Sequence, residues 1–361
     1  MVPPAPAPVP DGSVAARIYL IGDAGGPAAP FEPALRALRD DVSRAPDRSW
    51  VVYLGDNLYP RGMPDSAADD RAEAERRVAA QIDAVVGAGG SGFFIAGNHD
   101  WARGGAPGWE RVLRQGQFIA AHSDGRMALL PDGGCPGPDV RDIGAHVRLV
   151  LIDTQWWLHN GPKPLEPVSA CPAADSEGEV TDSLRMVLAG AGTRRVIVAG
   201  HHPMLSGGVH GGTFGFLEHV FPLRELNKAL WIPFPVIGSL YPLARQGGIT
   251  PQDLSGGRNR EMRDSLSAAF AAGPPLVYAA GHDHDLQVHD GATVGAGYVI
   301  VSGAGTYGHE SRVSWRETTL FAAEAPGYIR LDVTGQGTVR LSVVVVDKTG
   351  AGHEAFGTWL E

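Results

Sequence analysis

Residues 93–100 read FFIAGNHD, four apolar residues, a glycine, and then Asn98, His99 and Asp100. A short apolar run that ends in glycine and turns polar describes a buried strand giving way to a tight turn. The same shape recurs at 18–23 (IYLIGD), 51–56 (VVYLGD), 196–202 (VIVAGHH) and 276–284 (LVYAAGHDH). Helical patterns lie between these runs at 33–42, 66–86 and 259–272, and the second opens on Ser66-x-x-Asp69, a capping-box variant. Alternating strand and helix predicts an α/β fold with largely parallel pairing and right-handed crossovers. Ligands in such sheets bind outside the carboxyl ends of the strands, where all five polar clusters fall. Beyond the last cluster, runs at 298–302, 328–333 and 339–346 follow one another without helices, and they predict antiparallel strands completing a second sheet.

Composition narrows the classes. The 361 residues carry a net charge of −10, with 43% hydrophobic and 19% charged side chains, which suits a globular chain with a sizeable core. Its 49 glycines and 28 prolines make it loop-rich, yet below the roughly 25–30% at which disorder becomes the default. An acidic balance argues against nucleic acid as a partner, since phosphate neutralisation needs a basic surface. No apolar run reaches the length of about 20 residues that spans a bilayer. Residues 1–14 open on MVPPAPAPVP and read as a Pro/Ala-rich linker or N-terminal extension, with an export leader expected to have preceded them. Cys135 and Cys171 lie in Gly/Pro-rich loops on either side of an apolar strand. Two free thiols and a disulfide of an exported, periplasmic or extracellular, protein both fit that spacing.

Each polar cluster alone is a weak signal, because Gly-Asp after a strand is commonly a turn and Asn98 could cap a helix. Five strand ends that all carry oxygen or imidazole donors are a different matter. Two cations about 3.5–4 Å apart need a bridging carboxylate and a rim of hard oxygen and imidazole ligands. A phosphate ester spans such a pair, and a water made nucleophilic there attacks phosphorus in line with the leaving oxygen. No cysteine falls in a cluster, which excludes a thiolate-rich zinc or iron–sulfur site.

The order GDAGG, GDNLY, GNHD, GHHP, GHDHDLQ and SGAG, running from Asp23 to Gly305, resembles the calcineurin-like metallophosphoesterase superfamily. Within it the chain is most similar to the small, mammalian-type purple acid phosphatases. That resemblance implies a four-layer αββα sandwich of two mixed β-sheets flanked by helices, formed by residues 15–361. It implies that Asp23, Asp56, Tyr59 and His284 hold a first metal, and that Asp56 bridges to a second held by Asn98, His201 and His282. Many relatives carry a histidine two residues after the first aspartate, where this chain has Gly25. Tyr59 is the compensating donor, a hard phenolate suited to Fe(III), beside a divalent Fe, Zn or Mn. His99 and His210 match the substrate-side histidines that protonate or stabilise the leaving oxygen. His202 stands where close relatives have Tyr and either touches substrate or packs behind His201.

The expected activity is hydrolysis of a small phosphate ester, a monoester first and a diester as the alternative. A non-catalytic metal- or phosphate-binding protein is the alternative outside the enzyme class. Asp100 and Asp285, each beside a site histidine, are expected to fix histidine tautomers. Trp101 is either a pocket wall or a core residue, and Trp156–Trp157 read as core. The stretch 204–273 is longer than in the small acid phosphatases, and its apolar part, 231–243, is either a small cluster of its own or a lid over the site. Seven histidines (His122, His146, His159, His219, His289, His309 and His353) receive no role.

Overall fold

The structure is a computed structural model that describes residues 6–26, 32–165, 171–221, 231–234 and 237–361. Fourteen strands form two seven-stranded sheets among the described residues. In chain order they are β1 (Val14–Ile21), β2 (Ser49–Tyr53), β3 (Ser91–Phe94), β4 (Met127–Leu129), β5 (Asp139–Ile143), β6 (Val147–Leu151) and β7 (Arg195–Ala199). They continue as β8 (Val277–Ala280), β9 (Leu286–Asp290), β10 (Tyr298–Ser302), β11 (Thr319–Ala323), β12 (Gly327–Thr334), β13 (Val339–Val346) and β14 (Gly352–Leu360). The α-helices are α1 (Pro33–Val42), α2 (Arg71–Val86), α3 (Gly108–His122), α4 (Thr154–Leu158), α5 (Glu177–Ala189), α6 (Phe216–Val220), α7 (Leu240–Gln246) and α8 (Gly257–Phe270).

The first sheet runs β14-β13-β12-β1-β2-β3-β4 and the second β11-β9-β10-β8-β7-β6-β5. Parallel pairing holds along β1-β2-β3-β4 and along β6-β7-β8-β10, while the outer strands pair antiparallel, so both sheets are mixed. Successive residues of one strand face opposite layers. Ile18 and Leu20 of β1 point between the sheets with Val52, Ile95, Ile197, Val277 and Ile300. Tyr19 and Ile21 point outward, in the layer that also buries Leu35 and Leu38 of α1 and Val78 and Ile82 of α2. Burial on both faces is why these strands read as unbroken apolar runs. On the far side α5 and α8 cover the second sheet with Leu184, Leu188, Met262, Leu266 and Phe270. The αββα sandwich of two mixed sheets is therefore observed.

Several local expectations change. Only β10 of the three late runs belongs to the second sheet; β12 and β13 extend the first, with Leu20 opposite Ile329 in an antiparallel β1–β12 pair. Helix α2 begins at Arg71, because the Asp65 carboxylate caps Ala67 N–H and residues 65–70 form a turn of their own. Of the stretch 1–14, residues 7, 8 and 10–13 are exposed, but the segment is tied down at points: Val9 and Val14 are buried, the Pro6 carbonyl accepts from the fully buried Arg340, and Asp11 pairs with Arg17. Cys135 and Cys171 form a disulfide across a separation of 36 residues.

Candidate metal centre

At the carboxyl ends of β1, β2, β3, β7 and β8 the chain leaves each strand through a glycine and delivers Asp23, Asp56, Asn98, His201 and His282 into one space. The turns interlock. Gly22 N–H donates to Ser302 O, Asp23 N–H to Gly55 O and Gly281 N–H to His201 O. A Cβ on Gly97 would lie 2.3 Å from Asp56 Oδ1 and 2.8 Å from His201 Cε1, so only glycine fits between those two side chains. Asp23, Asp56 and His282 adopt left-handed backbone conformations, with φ of 57°, 51° and 72°. Such conformations cost of order 1–3 kcal/mol each and persist where surroundings over-determine them, commonly at functional sites.

The seven expected ligands form two adjoining groups. Tyr59 Oη lies 3.0 Å from Asp23 Oδ1 and 3.2 Å from His284 Nε2, and His284 Nε2 lies 3.4 Å from Asp23 Oδ1. Asn98 Oδ1 lies 3.0 Å from His201 Nε2 and 3.1 Å from His282 Nδ1, and those two nitrogens are 3.2 Å apart. Asp56 joins the groups: its Oδ1 is 3.5 Å from His201 Nε2, and ligand atoms of Asp23, Asp56 and His201 all lie within 4.8 Å of one another.

The far ring nitrogens set the tautomers. His201 Nδ1 donates to Leu54 O at 2.8 Å and His282 Nε2 to Gln252 O at 2.9 Å. In neutral rings those donations leave His201 Nε2 and His282 Nδ1 as lone pairs that face each other, Asn98 Oδ1 and Asp56. A proton, a cation, or the Asn98 amide turned to donate its NH2 would relieve that convergence. The donor chemistry, imidazole with carboxylate, amide and phenol oxygen, fits a metal ion.

Electrostatics agree. Burial raises the Asp56 pKa, but His201 and His99 outweigh it and hold the carboxyl below its ordinary value. Burial depresses His201 and His284, yet Asp56 and Asp23 reverse the sign for His201, and Asp23 reverses it for His284, so both end above the ordinary value. His282 is pushed well below it by burial and by His210 and His202. Burial, with Asp23 and Asp56, drives the Tyr59 phenol well above its ordinary value, so a phenolate there requires a strong cation.

His99 and His210 rim the site. His99 donates from Nδ1 to Pro60 O at 2.7 Å, leaving Nε2 3.8 Å from Asp56 Oδ2, and its side chain is 19% exposed. His210, 24% exposed, stacks on His282 with ring centroids 3.8 Å apart and bonds through Nδ1 to Asp253 Oδ1 at 2.8 Å. His202 lies near His201 and His282, but it is fully buried and both nitrogens are engaged, with Thr154 Oγ1 and Gln252 Oε1. Burial and the neighbouring His201 press its pKa down to about 3. This placement supports packing behind His201 rather than contact with substrate.

Asp100 and Asp285 touch no site histidine ring, contrary to expectation. Asp100 accepts from Asn57 and Gly97 and clamps two turns together, and Asp285 accepts from Gln287. Trp101 is no pocket wall either: it is fully buried, donates to Asp153 Oδ2 and packs on His159. Trp156 and Trp157 are core, as expected. Position 25 has no room for a side-chain ligand, since a Cβ there would lie 2.4 Å from the Asn57 backbone. Of the 231–243 run, residues 235 and 236 lie outside the described residues; Ile232, Ile237, Leu240 and Leu243 stand exposed, and the half-exposed Trp231 packs edge-on against Phe221. Among the described residues no helix is long and apolar enough to cross a membrane.

Sequence reading missed His309, whose ring lies 4.2 Å from that of His284 and 5.2 Å from that of Tyr59. It also missed Thr154, Gln252, Asp253 and Arg245, which hold the histidines from behind. Thr154 opens α4 and Arg245 sits in the last turn of α7, while Gln252 and Asp253 lie in the loop after α7, and no motif marks any of these positions.

A model of the calcineurin-like phosphoesterase family matches residues 16–231. No curated protein sequence matches the chain. Among solved structures, GAP50, the anchor in the inner membrane complex of Plasmodium, is similar with a TM-score of 0.53 at 14% identity, over 96% of this chain and 88% of that one. Purple acid phosphatase PPD1 from yellow lupin (Lupinus luteus) seeds is similar with a TM-score of 0.51 at 13% identity, over 97% of this chain and 55% of that one. These structural likenesses speak for the fold, and the family match spans the strands that carry Asp23, Asp56, Asn98 and His201. The chain belongs to the calcineurin-like phosphoesterase family.

Proposed function

We propose that this protein is a phosphoester hydrolase working with two metal ions, acting on small phosphate monoesters in the manner of purple acid phosphatases. The observation that carries the reading is the pair of donor groups, Asp23–Tyr59–His284 and Asn98–His201–His282, with Asp56 between them. Bound there, two cations supply charge neutralisation on a phosphoryl group and a water ionised near neutral pH. The protein's own part is orientation. Leu54 O and Gln252 O keep His201 and His282 in ligand tautomers, and the backbone N–H of His99 fixes Asp56 Oδ1 at 2.7 Å. His99 Nε2 and the exposed edge of His210 are placed to meet phosphoryl and leaving oxygens, so that a proton can pass to the departing group. Tyr59 supports iron(III) in the first position, beside a divalent Fe, Zn or Mn ion. The disulfide supports an exported protein.

The deciding experiment is a visible absorption spectrum with elemental analysis on protein purified without chelator, followed by assays on p-nitrophenyl and bis-p-nitrophenyl phosphate. About two metals per chain, iron among them, a broad visible band lost in Tyr59→Phe, and faster monoester turnover are expected. A colourless two-metal enzyme that prefers the diester would overturn the monoesterase and iron reading. Metal-loaded protein that turns over neither ester would overturn hydrolysis itself.

A further inference from the structure

We propose that Asp253, clamped by Arg245, is a positioning residue that holds the Nδ1–H of His210 and so turns His210 Nε2 toward the substrate's phosphoryl group. This rests on the phosphoesterase reading above, and it gives the 204–273 stretch a part in that site.

The contacts form a relay from a surface helix to the rim of the metal centre. Arg245, in the last turn of α7, donates from Nε to Asp253 Oδ2 at 2.8 Å and from a terminal nitrogen to Asp253 Oδ1. Two parallel donations to one carboxylate fix its plane as well as its place. Asp253 Oδ1 in turn lies 2.8 Å from His210 Nδ1. A guanidinium has only donors, so Arg245, 3.1 Å from the same nitrogen, competes for an Nδ1 lone pair. The carboxylate settles that competition: burial raises its pKa, but Arg245 and His210 outweigh this and keep it ionised, an acceptor for both. Nδ1 therefore carries a proton whether the ring holds one or two, and Nε2 is the nitrogen left to exchange a proton with the substrate's oxygens. Among the described residues Nε2 of His210 has no hydrogen-bond partner.

Further bonds lock the loop in place. Leu254 N–H donates to His210 O at 2.9 Å, His210 N–H to Asp283 Oδ1 at 2.8 Å, and Ser255 Oγ to Arg245 O at 2.6 Å. The neighbouring Gln252 accepts from His282 with its carbonyl and meets His202 with its side chain. One short turn thus holds three histidines, His282 of the second donor group and His202 and His210 beside it. The buried Arg245–Asp253 pair is more than a fold staple, because its open side is the imidazole at the rim.

Asp253→Asn tests this in the full, metal-reconstituted chain. An amide offers one acceptor oxygen where two donors need one; Arg245 takes it, the NH2 faces His210 Nδ1, and the ring's own proton settles on Nε2, where it is no longer free to pass to a leaving oxygen. The expected result is a kcat loss of about 10–100-fold with KM little changed, the usual range for a residue behind a site ligand. Metal content and Tm should stay near those of the parent, and Asp253→Glu should recover part of the loss. In a His210→Ala background, Asp253→Asn should cost nothing further. Nitrogen NMR of 15N-histidine-labelled protein should find the His210 proton on Nδ1 in the parent and on Nε2 in Asp253→Asn. An unchanged kcat, an equal loss with and without His210, or a parent protonated on Nε2 each overturns the proposal. If the parent hydrolyses no phosphoester, the functional reading falls, while the NMR comparison still decides the Asp253–His210 link.

Discussion

Gly97→Ala is the sharpest perturbation available at this site, because it adds one methyl group and removes no donor. Gly97 does not occupy the left-handed region, so alanine suits its backbone and only the space is at issue. The new Cβ would sit 2.3 Å from Asp56 Oδ1, 2.4 Å from Asp56 N and 2.8 Å from His201 Cε1. Ordinary contacts between carbon and oxygen begin near 3.3–3.5 Å, so Asp56 and His201 must together yield about 1 Å. The stability cost of such overpacking is about 1–3 kcal/mol. With an unfolding entropy of about 2.1 cal/mol/K per residue, a chain this long loses only about 1–4 °C in Tm. Function is more exposed. Asn98, His201 and His282 meet within 3.0–3.2 Å, and Asp56 and His201 belong to that arrangement. A 1 Å misplacement costs on the order of a hundredfold in rate. Thermal unfolding of metal-free protein and kcat/KM of metal-loaded protein should therefore part company, with a small Tm shift beside a hundredfold loss. Activity within threefold of the parent, with the substitution verified, would refute the placement of Asp56 and His201 at the reacting centre.

Metal affinity should fall steeply as pH drops through the raised pKa values of His201 and His284. Both lie above the ordinary 6.5 and must lose a proton before their lone pairs can face a cation. The same sign makes those protons stabilising in the metal-free fold below about pH 6.5 and lost above their folded values. Binding isotherms that stay flat between about pH 8 and pH 5 would contradict this linkage. Replacing Cys135 and Cys171 by serine opens a loop of 36 residues and should lower stability by about 4 kcal/mol, read by denaturant unfolding. A change under about 1 kcal/mol would mean that the packing around the two loops, not the crosslink, holds them.

The strand ends were legible because two independent signals coincide there. An apolar run such as 18–21 is buried on both faces, Ile18 and Leu20 between the sheets and Tyr19 and Ile21 under α1 and α2, so its sequence marks a central strand. The donor that follows is ordinary in any one turn, and its presence at five strand ends is what marks a site. Sheet membership of the late strands was not legible. Strands β10, β12 and β13 are all rich in apolar residues, and nothing in Tyr328–Val333 states that it will pair with β1 rather than extend the second sheet. The tautomer holders were sought among neighbouring acids, Asp100 and Asp285. Adjacent side chains at a strand end diverge, so those carboxylates point back into the turns. The true holders are the carbonyls of Leu54, Pro60 and Gln252, and a backbone carbonyl leaves no trace in residue type.

Left-handed conformations at Asp23, Asp56 and His282 tie these observations together. Each carboxylate divides its work. Asp23 gives Oδ2 to the backbone N–H of His282 and keeps Oδ1 for Tyr59 and His284; Asp56 gives Oδ1 to the backbone N–H of His99. The Asp23 carboxylate thus anchors the backbone of His282, 259 residues away in sequence, and the Asp56 carboxylate that of His99, 43 residues away and next to Asn98. The unfavourable backbone at these three residues is thus braced by bonds made within the site itself. A donor set built in this way does not wait for a cation to gather it. It is held by the sheets beneath, and a cation entering it meets lone pairs already aimed, which is the condition for tight binding without a folding cost.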